Sequence, residues 1–186
     1  MQYSALLAIG LSALASGAAI PTLTKRSVSA QEYDISTLKT HFMGKNSGLG
    51  DGSWPPGSEF NSTIELVVNY PGDDDATAST TCTGTWVNGS HPTDWNACDD
   101  AAVAWKFAKF TTEAKFTLEI GRSTGAQSSS TGSVDVTSNN LADDNSWLTC
   151  LAGPPLQGLK CNLDGALSKQ KAPIPVGVIS GPAISL

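Results

Sequence analysis

Residues 59–70 read EFNSTIELVVNY, and this stretch decides the fold class. From Ile64 to Tyr70 an apolar residue recurs at every second position, which is the period of a β-strand with one buried face. Phe60 lies in phase with these residues, and Ser62 is the one polar residue on the same face. The stretch therefore predicts a half-buried strand rather than an amphipathic helix.

The same alternation recurs along the chain. Apolar residues alternate with polar or small residues at 102–108 and again at 115–120, and the short polar break between these runs predicts a β-hairpin. Further strands are predicted at 32–43, 79–87, 132–138, 145–151 and 158–164. Because no long stretch has a helical period, we predict an all-β domain, a compact antiparallel β-barrel or sandwich of about eight strands.

The predicted loops are rich in turn-forming residues. Residues 44–58 hold several Gly and Pro, residues 71–77 contain Pro-Gly and a run of Asp, and residues 121–133 are almost wholly Gly, Ser, Thr and Gln. These compositions favour turns over regular strands. We therefore place loops at all three segments.

The first 19 residues lack charge, run apolar and end in small side chains, which is typical of a secretory signal peptide. The apolar run is too short for a membrane-spanning helix. Lys25-Arg26 is a dibasic pair that can end a propeptide over 20–26; alternatively these are two exposed charges in a flexible leader. We expect a secreted, extracellular protein.

The folded domain is then predicted over residues 27–170, followed by an apolar tail over 171–186 that contains Pro and Gly. The tail has three interpretations. It can hold a strand spanning Val176 to Ile179, it can be unpacked, or it can be a cleaved glycolipid-anchor signal. Pro and Gly interrupt its apolar stretch, which argues against the anchor signal.

The charge balance limits the partners. The 186 residues carry a net charge of −6, and only 15% of them are charged. Binding to nucleic acid or to an anionic membrane needs grouped Lys and Arg, and no such cluster occurs in the sequence. We therefore predict neither a nucleic-acid partner nor a membrane partner.

Four cysteines are the next constraint: Cys82, Cys98, Cys150 and Cys161. An even number in a secreted chain predicts two disulfides. Three pairings can be drawn, and the two local pairs have the lower loop-closure entropy. A zinc site is the alternative, but His41 and His91 do not stand at ligand spacing. We predict no metal and no cofactor.

Candidate catalytic residues are few. Gly121 to Gly125 fit the G-x-S-x-G pattern around Ser123, but a nucleophile elbow needs a helix directly after it, and the following residues are AQSSSTGSVDV. Both histidines precede Ser123, whereas the base of that triad follows it. The hairpin-turn interpretation is favoured, and we predict no catalytic residues.

Three Asp clusters can ligate a cation or form an acid–base pair: residues 73–75, 99–100 and 143–144. All stand beside turn residues, where Asp caps backbone groups, and this is the favoured interpretation. The Gly-rich loop at 48–52 lacks the strand, helix and Lys of a phosphate site.

Two tryptophans are candidate ligand contacts. Trp54 stands beside Pro55-Pro56 and Trp95 lies in a hydrophilic stretch, so both are predicted to be more exposed than the other tryptophans. Packing under a loop is the alternative. Asn61 and Asn88 lie in N-x-Ser/Thr sequons and are candidate glycosylation sites in a secreted protein.

A further pattern surrounds the cysteines: Trp95, Cys98, Val103, Trp105, Phe107, Cys150, Ala152, Gly153 and Cys161. Here a Trp precedes the second cysteine by three residues, an aromatic strand follows, and the third cysteine is followed by x-Ala-Gly. The pattern resembles the fungal secreted family of the Alternaria major allergen and its relatives, the hypersensitive-response-inducing elicitors. The likeness extends over residues 33–167 and the signal peptide.

The resemblance implies a compact antiparallel β-barrel with disulfides matching Cys82–Cys98 and Cys150–Cys161. It implies no established catalytic residues, and roles in contact with plants as allergen, elicitor or binder of host defence proteins. The chain departs from the family in lacking the extra cysteine near the mature N-terminus, so no covalent dimer is expected. The loops at 44–58 and 71–80 and the tail are also long for the family.

From these patterns we expect a non-enzymatic fungal effector- or allergen-like protein that acts by binding. Its expected partners are plant defence proteins or a small apolar or aromatic ligand. The alternatives are an extracellular hydrolase and a cell-wall carbohydrate-binding module.

Overall fold

The computed structural model of the chain describes residues 32–44, 47–72, 76–87 and 90–185. Within these ranges it contains eleven strands and no α-helix. The strands are β1 Glu32–Phe42, β2 Ser62–Pro71, β3 Thr77–Trp86, β4 Asn96–Ala97, β5 Val103–Thr112, β6 Lys115–Gly125, β7 Ser128–Ser138, β8 Ser146–Ala152, β9 Leu159–Leu163, β10 Ile174–Gly177 and β11 Ile179–Pro182. The all-β prediction is confirmed. The predicted signal peptide, the propeptide, Asp73–Asp75 and Asn88 lie outside the described residues.

Strand β2 has the alternation that the sequence predicts. Its even-numbered residues from Ser62 to Tyr70 are buried, and the residues between them face outward. Ser62 is tolerated inside because its Oγ accepts a hydrogen bond of 2.9 Å from the backbone N–H of Met43. The polar exception on the buried face is therefore a satisfied hydrogen-bonding group.

The eleven strands form one sheet with the order β3-β2-β1-β9-β8-β7-β6-β5-β4, to which β10 and β11 add through β1 and β7. The prediction of a closed antiparallel barrel or a two-sheet sandwich is wrong, because the hydrogen-bonded path is open and β7 pairs with β8 in parallel. The strand count of about eight is also too low. Periodicity reveals which face of a strand is buried but not which strand lies beside it.

The parallel pair β7–β8 is extended beyond its ladder by one side chain. Asn139 follows β7, and its amide makes two hydrogen bonds to the backbone of Cys150, one of 2.7 Å to the carbonyl oxygen and one of 2.9 Å from the N–H. These bonds substitute for ladder bonds beyond the end of β7. They hold β8 in the same direction as β7, a pairing that alternation cannot indicate.

The sheet curls around one apolar core. Strands from both ends of the path contribute to the same buried cluster, whose largest fully buried members include Trp105, Phe42, Ile35, Leu38, Leu66 and Leu118. Burying a side chain of this size stabilises the fold by about 1.5–3 kcal/mol. The inward faces are therefore used for stability, which leaves the outward faces available for binding.

The two ends of the path meet at a seam, which we define as the contact of β3 with β4 and residues 98–100. The Cys82–Cys98 disulfide crosses this seam. The Asp99 N–H donates a 2.8 Å hydrogen bond to the carbonyl of Thr81, and the Asp100 N–H donates one of 2.8 Å to Thr80 Oγ1. A covalent bond and a few hydrogen bonds thus join two edges between which the described residues form no ladder.

A second gap, between β1 and β7, is filled by the C-terminal tail. The sequence predicted one strand from Val176 to Ile179 or an unpacked tail, and the structure instead has two strands there. β10 pairs antiparallel with β1, and β11 pairs antiparallel with β7. Ile174, Val176 and Val178 are buried against the core. The tail is an integral part of the sheet.

The prediction of a loop at 121–133 is wrong. β6 continues to Gly125 and β7 begins at Ser128, so only Ala126 and Gln127 form the turn. Serines occupy buried positions here because they find partners; the Ser129 hydroxyl donates a 2.6 Å hydrogen bond to the Pro182 carbonyl in the tail. A polar composition was mistaken for a loop because those partners lie far away in sequence.

Within the described residues, no helix has the length and apolar character needed to cross a membrane.

Candidate functional site

The outward face of five neighbouring strands carries two rows of side chains. The pairing registers of β8, β9, β1, β2 and β3 align one row as Leu151, Lys160, His41, Thr63 and Thr85. The second row is Thr149, Asn162, Lys39, Glu65 and Thr83. With about 4.8 Å between strands, each row is about 19 Å long.

Part of this face is a cavity that we call the polar groove, with a volume of about 750 Å³. Its side chains come from β9, β1, β2 and β3, together with Asn96 of β4. Lys39 Nζ forms an ion pair with Glu65 Oε1 at 3.1 Å. Hydroxyl, amide and charged groups in the groove can therefore donate and accept hydrogen bonds.

His41, in the first of the two rows, is held in place by its neighbours. Its ring stacks on Phe60 with centroids 4.4 Å apart. Its Nε2 lies 2.7 Å from the Gln157 carbonyl oxygen, and because a carbonyl can only accept, the ring nitrogen donates. The imidazole is therefore oriented on two sides.

A second cavity, the apolar pocket, adjoins the polar groove and has a volume of about 690 Å³. Lys160 and Asn162 line both cavities. Leu151 is 62% exposed and Leu167 is 42% exposed, and both line the apolar pocket. Two exposed leucines at one concave surface favour ligand contact over chance exposure.

The wall of the apolar pocket at residues 164–172 is fixed by hydrogen bonds. The Leu167 N–H donates to Thr149 Oγ1 at 2.9 Å, which ties the wall to β8. Lys171 Nζ donates to the Gly165 carbonyl at 2.7 Å, and the Ala172 N–H donates to Asp164 Oδ1 at 2.7 Å. A wall that is already ordered loses little entropy when a ligand binds.

The polar groove differs in charge from the chain as a whole. The chain has a net charge of −6, yet the two rows contain two lysines and one carboxylate. Lys39 and Glu65 neutralise each other. Lys160 is exposed and has no ion pair with any residue that the structure describes. The shared border of the two cavities therefore carries one uncompensated positive charge.

The predicted ligand contacts, Trp54 and Trp95, are both half-buried. The Trp54 indole N–H donates to the Gly44 carbonyl at 3.3 Å, and its ring meets Phe60 edge-on at 5.6 Å. Through Phe60 it supports His41 at one end of the polar groove. Ligand contact by either tryptophan stays a prediction.

Trp95 packs elsewhere, against β5 and β6. Lys106 Nζ lies 4.5 Å from the centre of its ring, and the ring edge lies over Gly121. The two tryptophans therefore share no contact, and the structure does not bring them together in one site.

Both disulfide pairs are as the spacing favoured and the resemblance implied: Cys82–Cys98 and Cys150–Cys161.

The candidate glycosylation residue Asn61 is exposed and lies one position before β2. It is in phase with the outward residues Thr63 and Glu65. A glycan at Asn61 would therefore emerge at the end of the polar groove.

Ser123 and His91 are far apart. Ser123 lies near the end of β6, where its N–H donates to the Ala102 carbonyl, and β7 rather than a helix follows the turn. His91 stacks on Phe110, which pairs with Phe116 at the opposite end of β6. Phe116 and Ser123 are seven residues apart on β6, which corresponds to roughly 23 Å at about 3.3 Å per residue.

Asp143 caps the turn before β8. Its carboxylate accepts hydrogen bonds from the Asn145 N–H and the Thr137 hydroxyl, which lower its pKa. Asp144 forms an ion pair with Lys169. Among the described residues, no group of three or more His, Cys, Asp or Glu side chains is placed to hold a metal ion.

Asp100 belongs to a polar network at the seam. The Tyr70 hydroxyl donates a 2.6 Å hydrogen bond to Asp100 Oδ2, and the Ala102 N–H donates one of 2.9 Å to Oδ1. These bonds lower the pKa of Asp100, and the hydrogen bond from Tyr70 has the larger effect. Burial and the neighbouring carboxylate raise the pKa of Tyr70 to about 12. Arg122 lies over the Tyr70 ring at 4.9 Å. The network holds the seam closed.

The residues that line the two cavities, above all Lys160, Leu151 and Leu167, are not predicted from the sequence. One signal was present. In the predicted strand at 145–151, Leu148 and Cys150 share the inward phase, so Leu151 is an apolar residue at an outward position. Its partner Leu167 lies in a loop, where periodicity gives no information.

Comparisons of the chain with protein families, with curated proteins and with solved structures found no match.

Proposed function

We propose that the chain is a secreted, non-enzymatic fungal protein of the effector, elicitor or allergen type, which binds plant host defence components through the polar groove and the apolar pocket. The observation that carries this proposal is the continuous outward face of β8, β9, β1, β2 and β3. It combines a polar cavity, an apolar cavity and one uncompensated lysine.

Two features support the extracellular part of the proposal. Two disulfides are typical of proteins in oxidising compartments, and both are present. The uncharged, apolar first 19 residues have the composition of a signal peptide. The effector or elicitor role itself rests on the resemblance in the spacing around the cysteines.

The physical support for binding is rigidity. Every outward side chain of the two rows stands on a strand that is paired on one or both sides, and the wall at 164–172 is fixed by its own hydrogen bonds. The backbone of a paired sheet is ordered before a partner arrives, so little backbone entropy is lost on association. Such a face is suited to recognition by side chains, with the core supplying the stability.

A pull-down from plant apoplastic fluid tests the proposal. The immobilised full chain is compared with the double variant Lys39→Glu, Lys160→Glu, and with the control Lys109→Glu, Lys115→Glu, which makes the same charge change at two exposed lysines of β5 and β6 outside both cavities. We expect the wild type and the control to retain a specific plant protein and the double variant to lose it. Equal retention by all three, or no retained protein, would contradict a role for this face.

A further inference from the structure

The apolar pocket has the construction of a small-molecule site. Its volume of about 690 Å³ falls within the range of about 300–1,000 Å³ that is common for such sites. Its floor is β8 and β9, where Leu151 projects, and Leu167 and Ala166 belong to the opposite wall. An apolar body can thus contact aliphatic side chains on two sides.

The polar groups of the pocket lie at one border. Lys160 stands directly beside Leu151 in the strand register, and Asn162 is the next outward residue along β9. Among the described residues that line the pocket, none is Asp or Glu. The acidic residue of the two rows, Glu65, lies two strands away, about 10 Å from β9, and is already paired with Lys39. The border therefore attracts an anion and repels a cation.

We propose that the apolar pocket binds a small amphipathic carboxylate. Its hydrocarbon body contacts Leu151 and Leu167, and its carboxylate accepts hydrogen bonds from Lys160 Nζ and the Asn162 amide. This inference deepens the proposed function, since it assigns a ligand class to the surface on which that function rests. A neutral body of the same size gains only the apolar contact, and an ammonium group meets Lys160 unfavourably.

Three probes of matched length separate these contributions: octanoate, 1-octanol and octylammonium. Each is titrated into the full-length secreted chain, and binding is followed by backbone amide NMR shifts. An exposed ion pair contributes up to about 1 kcal/mol, a factor of about five. With attraction of one probe and repulsion of the other, we expect octanoate to bind about tenfold more tightly than octylammonium, with octanol between them. The shifts should centre on β8, β9 and residues 164–168.

Two kinds of variant identify the site. Lys160→Glu is expected to reverse the order of octanoate and octylammonium, while Lys109→Glu, a matched charge reversal outside both cavities, leaves it unchanged. Leu151→Ser is expected to weaken all three probes by about fivefold. Leu151 is largely exposed, so this variant should fold, and its NMR spectrum verifies that directly.

Several outcomes would overturn the inference. Octylammonium binding as tightly as octanoate, an order unchanged by Lys160→Glu, or shifts outside the pocket would each reject a carboxylate site at Lys160. None of these outcomes affects the pull-down, which reports retention of a plant protein. If the probes fail but the protein is retained, the face binds a macromolecule only. If the probes bind and no protein is retained, the ligand site stands and the proposed host contact fails.

Discussion

The sheet is interrupted in two places, and the two interruptions are closed by different means. At the seam, the Cys82–Cys98 disulfide and single hydrogen bonds join β3 to the segment around β4. Between β1 and β7, the tail supplies two paired strands and three buried apolar side chains. The seam therefore depends on oxidation and the tail on burial. Their separate contributions to stability can be measured.

The largest effect is expected from deleting residues 172–186. The deletion removes β10 and β11 and uncovers the core beneath Ile174, Val176 and Val178. At about 2 kcal/mol for each buried side chain the loss is about 6 kcal/mol, which is comparable to the whole stability of many domains. Urea unfolding followed by tryptophan fluorescence should show an unfolded or severely destabilised chain.

Deletion of residues 183–186 alone is the matched control, because both tail strands remain. We expect it to cost less than about 1 kcal/mol, as for most changes outside the core. If the two deletions shift the urea midpoint equally, the tail is not the closing element of the β1–β7 gap.

The next largest effect is expected from Cys82→Ser combined with Cys98→Ser. The disulfide closes a loop with a sequence separation of 16, which gives a loss of about 3 kcal/mol from chain entropy. The seam has no ladder to maintain contact afterwards, so we expect a total loss of about 4 kcal/mol. Hydrogen exchange should accelerate first in β3 and in residues 96–100.

The other disulfide sharpens this comparison. Cys150 and Cys161 are directly opposite each other in the β8–β9 ladder, and their sequence separation is 11. Chain entropy alone predicts a loss of about 3 kcal/mol, within about 0.3 kcal/mol of the seam disulfide. We expect the double serine variant to lose no more than this, because the hairpin retains its hydrogen bonds. If the two double variants lose equal unfolding free energy, the seam disulfide contributes nothing beyond its effect on chain entropy.

A smaller effect is expected where the tail packs tightly against Gly132 of β7. A Cβ on Gly132 would lie 2.3 Å from the Gly177 carbonyl oxygen, so the backbone of the tail must move. Gly132→Ala is expected to cost about 2 kcal/mol, as overpacking does elsewhere. Gly177→Ala is the control, because its Cβ would meet nothing within 4 Å. Thermal unfolding of both variants measures the difference, and equal midpoints would contradict a tight tail contact.

These two gaps also mark the limit of what the sequence predicts. Alternation places nearly every strand that has a buried face, and β2 follows it from Ser62 to Tyr70. The favoured disulfide pairs are confirmed. Neither observation reveals that β10 lies beside β1 or that β7 and β8 are parallel, because strand pairing is decided by distant residues. The polar strands at 121–133 were missed for the same reason.

The candidate site was less predictable than the fold. Trp54 and Trp95 were singled out as aromatic residues in polar surroundings, but each packs against its own neighbours. The outward face is assembled from ordinary residues, such as Lys160 and Leu151, that become a site only through the register of five strands. A single strand carries too little of that face to be recognised in the sequence.

The smallest predicted effect concerns the polar network at the seam. Tyr70→Phe removes the hydrogen bond to Asp100, which is the main reason for the lowered pKa of that carboxyl. A depressed folded pKa stabilises the protein above the unfolded value of about 4, and this contribution is lost as the pH falls through the folded pKa. We expect the variant to lose about 1 kcal/mol at pH 7. The difference from the wild type should shrink below pH 4.

The same substitution is expected to narrow the stability deficit in alkali as well. The pKa of Tyr70 is raised to about 12, whereas an unfolded tyrosine titrates near 10. The wild type therefore loses stability between pH 10 and pH 12, as the unfolded chain releases a proton that the folded chain retains. Tyr70→Phe lacks this titration, so its deficit should narrow across that window. Part of the alkaline loss should remain, because burial also raises the pKa of Tyr33. Urea unfolding at pH 3, 7 and 11 measures the difference in unfolding free energy between the variant and the wild type in all three ranges. A difference that stays constant across them would mean that the titration of Tyr70 and Asp100 does not contribute to the stability of the seam.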